Sequence, residues 1–200
     1  MVRPTNPVDA SFSEARWTLP NALTITRIFG TVVLLALAAR GGAWYFPWLL
    51  VAIVATDGLD GLLAKLLNQR TTLGARLDST ADVLLAAALV ACAGWLRPDF
   101  VAAQRPLLSV TLATYLFAGF VCLVRLRRWP SYHTWLAKTG WALVTIGAFF
   151  LFSGGPDWPC VVALAVVVIG NVEAIAISFV LPRWRANVRG IWEGATDPDA

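Results

Sequence analysis

Six apolar runs, each close to the length that crosses a bilayer, dominate this chain and leave few folds open to it. They cover residues 22–39, 44–65, 73–96, 106–126, 139–152 and 158–181. A membrane-spanning helix needs about 20 mostly apolar residues. In lipid, every backbone polar group must be paired within the chain, and a run of this length achieves that as a helix. The sequence therefore reads as all-α: a polytopic membrane protein with six transmembrane helices. Composition agrees, with 58% of residues hydrophobic and 14% charged, against roughly a quarter charged in soluble domains. This balance excludes a separate soluble domain. The net charge of +4 is modest, and no nucleic-acid partner is expected.

Residues 21–182 form the expected transmembrane domain, between an N-terminal segment, 1–20, and a tail, 183–200. In the first segment, residues 8–19 mix Phe12, Trp17 and Leu19 with charges. They read as a short amphipathic helix lying in the interface, with a disordered tail as the competing reading. Arg3, Asp9, Glu14 and Arg16 leave no apolar core for a cleavable signal peptide. Pro20-Asn21 opens the first run and Gly41-Gly42 ends it. Trp44, Tyr45 and Trp48 start the second in the manner of interface anchors. Residues 97–105 read as a loop. The fifth run is short and is expected to extend backwards into 129–138. The tail turns acidic and reads as disordered. Cys92, Cys122 and Cys160 have no metal-type spacing and read as small packing residues.

Six spans place both termini on one side. That side holds thirteen Lys and Arg, against Arg40, Arg97 and Arg105 on the other. The positive-inside rule puts the termini in the cytoplasm and makes the inner, plasma membrane the expected location.

Against this apolar background, residues 57–82 stand out. Asp57 and Asp60 close the second run, and Asp78 and Asp82 open the third. Spacings of three and four put each pair on one helix face. The two helices are antiparallel, so both pairs lie at one cytoplasmic depth. Carboxylates there are costly and call for a function. Together they would repel each other; a divalent cation removes the conflict, and hard oxygen donors suit Mg²⁺ or Mn²⁺. Two such ions could share four carboxylates, as in phosphoryl-transfer sites. Gly58, Gly61 and Gly74, with Ala64 and Ala75, make room for a close approach of helix or phosphate. Lys65, Arg70 and Arg76 add positive charge suited to a diphosphate. The competing reading has these three bases simply offset the acids in salt bridges.

The pattern Asp57-x-x-Asp60-Gly61-x-x-Ala64-Lys65, followed by Gly74-x-x-x-Asp78-x-x-x-Asp82, resembles the signature of the CDP-alcohol phosphotransferases. Seven of eight fixed positions match; Lys65 stands where the family usually has Arg. Lysine keeps the charge but loses bidentate contact with phosphate. The opening Leu19-Pro20-Asn21-Ala22-Leu23-Thr24-Ile25-Thr26-Arg27 resembles the first helix of phosphatidylglycerophosphate synthases. The resemblance implies transfer of a substituted phosphate from a CDP-linked lipid, usually CDP-diacylglycerol, to an alcohol, with release of CMP. It implies Asp57, Asp60 and Asp78 as metal ligands. Asp82 would be the general base and also act at the metal. Gly61, Ala64, Lys65 and Gly74 would line the CDP site, with Arg70 beside it. It further implies a homodimer.

Glycerol 3-phosphate is the expected acceptor, with Arg76, Arg125 and Lys138 as candidates to hold it. Arg127, Arg128 and His133 share the basic segment with the last two. Ordinary cytoplasmic anchoring, or contact with anionic lipid, explains that segment equally. Asn171 and Glu173 are polar residues inside the sixth run; a functional role and a helix-pairing role both remain open. From a different class, a divalent-cation transporter would also use intramembrane carboxylates. Clustering of the acids at one end of two helices, without repeat symmetry, argues for the enzyme.

Overall fold

The computed structural model describes residues 18–42, 44–67, 71–128, 132, 134–181 and 188–195. Within its helices, the side chains at 60–62, 64, 65, 72, 75, 76, 194 and 195 lie outside that description. Residues 8–17 of the expected interfacial helix, Arg70 and His133 lie outside the described residues. Among the described residues there are eight helices and no strand. Five helices are long and apolar enough to cross a membrane. A sixth has the length, and its apolar stretch among the described residues is Phe46–Leu59. The all-α polytopic membrane architecture is as the sequence implies. The chain forms two compact units, Met1–Arg97 and Pro98–Ala200.

The first unit contains α1 (Leu19–Ala39), α2 (Phe46–Leu66) and α3 (Thr72–Leu96). Thr18 caps α1 by accepting from the Asn21 N–H at 3.3 Å, and Pro20 sits in the first turn, where a missing N–H costs nothing. Gly41 and Gly42 end it with φ of 88° and 74°. The Gly42 N–H returns to the Leu37 carbonyl at 2.8 Å, a left-handed termination that favours glycine. α1 is the central helix and packs against both α2 and α3. Its buried stripe is Pro20, Asn21, Thr24, Arg27, Thr31, Leu34 and Ala38, a helical three-four spacing that is polar at one end and apolar at the other. The buried stripe of α2 is Phe46, Leu50 and Ile53, and that of α3 is Ala81, Leu85, Ala88 and Cys92. Phe29, Val32, Val51, Val83 and Val90 are exposed, as lipid-facing side chains would be.

The second unit contains α4 (Pro98–Ala103), α5 (Arg105–Leu126), α6 (Trp135–Phe152), α7 (Trp158–Val180) and α8 (Ile191–Ala195). Here α7 is central, packing on α5, α6 and α8. Gly147 allows α6 to approach α7 closely: a Cβ there would lie 2.7 Å from the Cys160 Cα. Asn171 of α7 donates to Thr114 Oγ1 of α5 at 3.1 Å, which gives it the helix-pairing role. Tyr132 is buried between Cys122 and Ser178, at 3.4 and 3.2 Å. Burial, with the Cys122 contact, pushes its hydroxyl up to about 12, so it stays protonated.

Of three expectations about boundaries, two change and one holds. The 97–105 connection contains α4, with Pro98 at its start and Asp99 in its first turn, both favourable at a helix N-terminus. The fifth run does extend backwards: Thr134 caps α6 by accepting from the Ala137 N–H at 3.1 Å. The tail is not wholly disordered, since residues 188–195 are ordered. Val188 is buried in a cluster with Cys122, Tyr132, Ile177 and Leu181. The Arg189 N–H donates to Glu193 Oε2 at 2.6 Å, at the start of α8.

Candidate active site

At one end of the first unit, the packing stripes of all three helices turn from apolar to charged. On α2, Asp57 follows Ile53 by one turn and continues the Phe46–Leu50–Ile53 stripe. On α3, Asp78 and Asp82 precede Leu85 on the same face. On α1, Arg27 sits midway along the buried face. Each charge is therefore carried inward by the register that packs its helix.

The result is a compact charged cluster. One oxygen from each of Asp57, Asp78 and Asp82 lies within 4.8 Å of the other two. Arg27 joins them from α1. Its Nη1 donates to Asp57 Oδ1, and its Nη2 donates to Asp78 Oδ1 at 2.5 Å. The same Nη2 stands 3.7 Å from Asp82 Oδ1 and 3.4 Å from the Asp78 carbonyl. The arginine side chain has no exposed surface, while the three aspartates keep 48%, 43% and 41% of theirs. A buried unpaired guanidinium would be costly, and three carboxylates remove that cost. The cluster thus has a closed side, held by Arg27, and an open side.

The sequence alone did not single out Arg27. The signal was present, because Asn21, Thr24, Arg27 and Thr31 recur at helical spacing in an otherwise apolar run. Thr24 and Thr31 return their hydroxyls to the carbonyls of Pro20 and Arg27, at 3.1 and 2.9 Å, which satisfies them within the helix. Among the described residues, the base that meets the acids is Arg27 of α1; the side chains of Lys65, Arg70 and Arg76 lie outside the described residues.

The donor set fits a divalent cation. Oxygens at 2.0–2.6 Å from one ion can lie up to about 5 Å apart across it, and the aspartate oxygens are within that span. Asp60 lies in α2, with its side chain outside the described residues. The same holds for Gly61, Ala64 and Lys65 in α2 and for Arg76 in α3.

Gly74 is placed clearly. It is in the first turn of α3, where its N–H donates to Thr71 Oγ1 at 2.8 Å. A Cβ at Gly74 would stand 2.5 Å from Asn21 Oδ1. Asn21 in turn donates to Thr71 Oγ1 at 3.2 Å. Gly74 therefore lets the start of α3 close on α1, whereas the space around Gly58 is open. In the second unit, Arg125 donates to the Phe179 carbonyl at 3.1 Å and lies over the Phe179 ring. Lys138 lies over the Trp135 ring. Both side chains are exposed.

Comparisons with known proteins bear directly on this cluster. The family model for CDP-alcohol phosphatidyltransferase matches residues 17–181. The chain is 27% identical to a CDP-diacylglycerol–glycerol-3-phosphate 3-phosphatidyltransferase from Cereibacter sphaeroides, over 91% of this chain and 78% of that protein. It is 32% identical to a phosphatidylinositol phosphate synthase from Cutibacterium acnes, over 38% of this chain and 37% of that protein. No solved structure matches significantly. The matched region takes in every residue of the charged cluster, and the chain belongs to the CDP-alcohol phosphatidyltransferase family of enzymes.

Proposed function

We propose that this enzyme transfers a phosphatidyl group from CDP-diacylglycerol to glycerol 3-phosphate, releasing CMP, and depends on a divalent cation. The observation that carries the reading is the convergence of Asp57, Asp78 and Asp82 on one partly open site. The similarity to the Cereibacter sphaeroides enzyme supports the donor and the acceptor.

Asp57, Asp60 and Asp78 would hold Mg²⁺ or Mn²⁺, as one ion or a pair with Asp82. When bound, the cation supplies neutralisation of the diphosphate charge. Phosphoryl-type transfer otherwise depends mainly on positioning and electrostatics. Asp82 takes the proton of the acceptor hydroxyl as the hydroxyl oxygen bonds to the lipid-side phosphorus. The bond from that phosphorus to the CMP oxygen breaks, and CMP leaves with the electron pair. Gly61, Ala64, Lys65 and Arg70 are assigned to the CDP moiety, and Gly74 shapes the same end of α3. Arg76, Arg125 and Lys138 are assigned to the acceptor phosphate. The distribution of Lys and Arg supports a cytoplasmic site in the plasma membrane; a homodimer completes the proposal. The cation-transport reading loses its support, because Asp57, Asp78 and Asp82 gather within 4.8 Å of one another and the chain belongs to an enzyme family.

The test uses purified protein in detergent with CDP-diacylglycerol, Mn²⁺ or Mg²⁺ and a panel of alcohols. CMP release is expected with glycerol 3-phosphate. Asp82→Asn should lower it by about 10²–10⁴-fold, the range for loss of a general base. Preference for an inositol phosphate would move the acceptor assignment towards the Cutibacterium acnes relative. Full activity in the Asp82→Asn variant would remove the base from the scheme.

A further inference from the structure

We infer that Arg27 is a built-in counter-ion for the active-site carboxylates: a positioning residue that holds Asp57, Asp78 and Asp82 together before any cation binds. The inference rests on the metal-dependent reading above for its consequence, though not for its geometry.

Three observations carry it. First, the guanidinium reaches all three carboxylates, through Nη1 to Asp57 and through Nη2 to Asp78 and Asp82. One residue of α1 thereby links α2 to α3 at the level of the site. Second, Arg27 has no exposed side-chain surface, while its partners are nearly half exposed. It approaches from within the helix packing, leaving the outward side of the carboxylates to a cation and a substrate. Third, among the described side chains, the three carboxylates and one guanidinium carry a formal charge of −2, which favours a divalent ion. Without Arg27, three carboxylates within 4.8 Å would repel each other in a medium that screens poorly. They would then separate or take up protons, and a cation would have to assemble the site as well as bind it.

This role differs from ordinary packing, and the difference is measurable. In Arg27→Gln, the metal-free protein in detergent should melt at least 5 °C below the unsubstituted protein. Saturating Mn²⁺ should recover most of that difference, because the ion then does the work of the guanidinium. Arg27→Lys, which keeps the charge, should lie between the two. If Arg27 only packs α1, the loss in Arg27→Gln will be the same with and without Mn²⁺, and the inference falls.

Should Arg27→Gln fail to fold, the double variant Arg27→Gln/Asp57→Asn decides. It restores the formal charge of −2 by removing one carboxylate with the arginine. Recovery of a folded protein, by size-exclusion elution and melting, supports the counter-ion role; failure to recover overturns it. Calorimetric titration of the unsubstituted protein with Mn²⁺ separates the two readings. If Mn²⁺ does not bind, the metal assignment fails, and the double variant still tests Arg27 alone.

Discussion

Arg27 donates to Asp78 Oδ1 at 2.5 Å but stands 3.7 Å from Asp82 Oδ1, so the two α3 aspartates differ in how far they are held. Neutralising either removes a like charge from the cluster, which is stabilising, and weakens a partner of a buried arginine, which is not. For Asp78 the second effect should win. Asp78→Asn is expected to cost about 1–2 kcal/mol, below the usual cost of breaking a fully buried pair because the carboxylate is 43% exposed. For Asp82 the relief of repulsion should win, leaving Asp82→Asn neutral or slightly more stable. Melting temperatures of the two metal-free variants check the order; the reverse order would contradict it.

The α6–α7 contact makes two glycines of one helix unequal. A Cβ at Gly147 would meet the Cys160 backbone at 2.7 Å, while one at Gly140 would meet a Val167 methyl at 3.4 Å. Backbone cannot step aside as a side chain can. Gly147→Ala should therefore cost about 1–3 kcal/mol as the helices are forced apart. Gly140→Ala should be neutral or gain up to about 1 kcal/mol from helix propensity. Equal melting temperatures for the two variants would refute the difference.

At Gly74 the clash is with two side chains, Asn21 Oδ1 at 2.5 Å and Thr71 Oγ1 at 2.9 Å, and shortening Asn21 should relieve the closer of the two. Gly74→Ala is expected to lower stability by about 1–2 kcal/mol. Combined with Asn21→Ala, it should cost less than the sum of the two single changes, with a coupling of about 1 kcal/mol. A Gly74→Ala protein with unchanged stability and only a raised KM for the CDP-lipid would assign this glycine to the substrate alone.

Asn171 links α7 to α5 through Thr114. Asn171→Ala and Thr114→Ala should each cost about 0.6–1.7 kcal/mol, the range for hydrogen bonds between membrane helices. The double variant should cost little more than either single one. Mn²⁺ affinity should not change, since neither Asn171 nor Thr114 is among the carboxylates assigned to the ion. A drop in affinity with either variant would argue against treating Asn171 as a purely helix-pairing residue.

Run length, capping residues and motif spacing are local properties, and the sequence by itself determined what depends on them. It placed the long helices and put the acidic residues on shared faces. It also identified the family, which the match over residues 17–181 bears out. Boundaries were less legible where weak local signals compete with packing. Residues 191–195 read as disordered tail, whereas the structure forms α8 there and buries Val188 just before it among Cys122, Tyr132, Ile177 and Leu181.

What only the tertiary structure decided is partnership across helices. Arg27 is 30 residues from Asp57 and 51 from Asp78, and no spacing rule connects them. Their meeting depends on how far each helix is rotated and at what depth it crosses its neighbour. Those quantities are set by the buried stripes of α1, α2 and α3 and by the space at Gly74. The sequence set Lys65, Arg70 and Arg76 near the acids along the chain. Among the described residues, the packing adds Arg27, from a different helix.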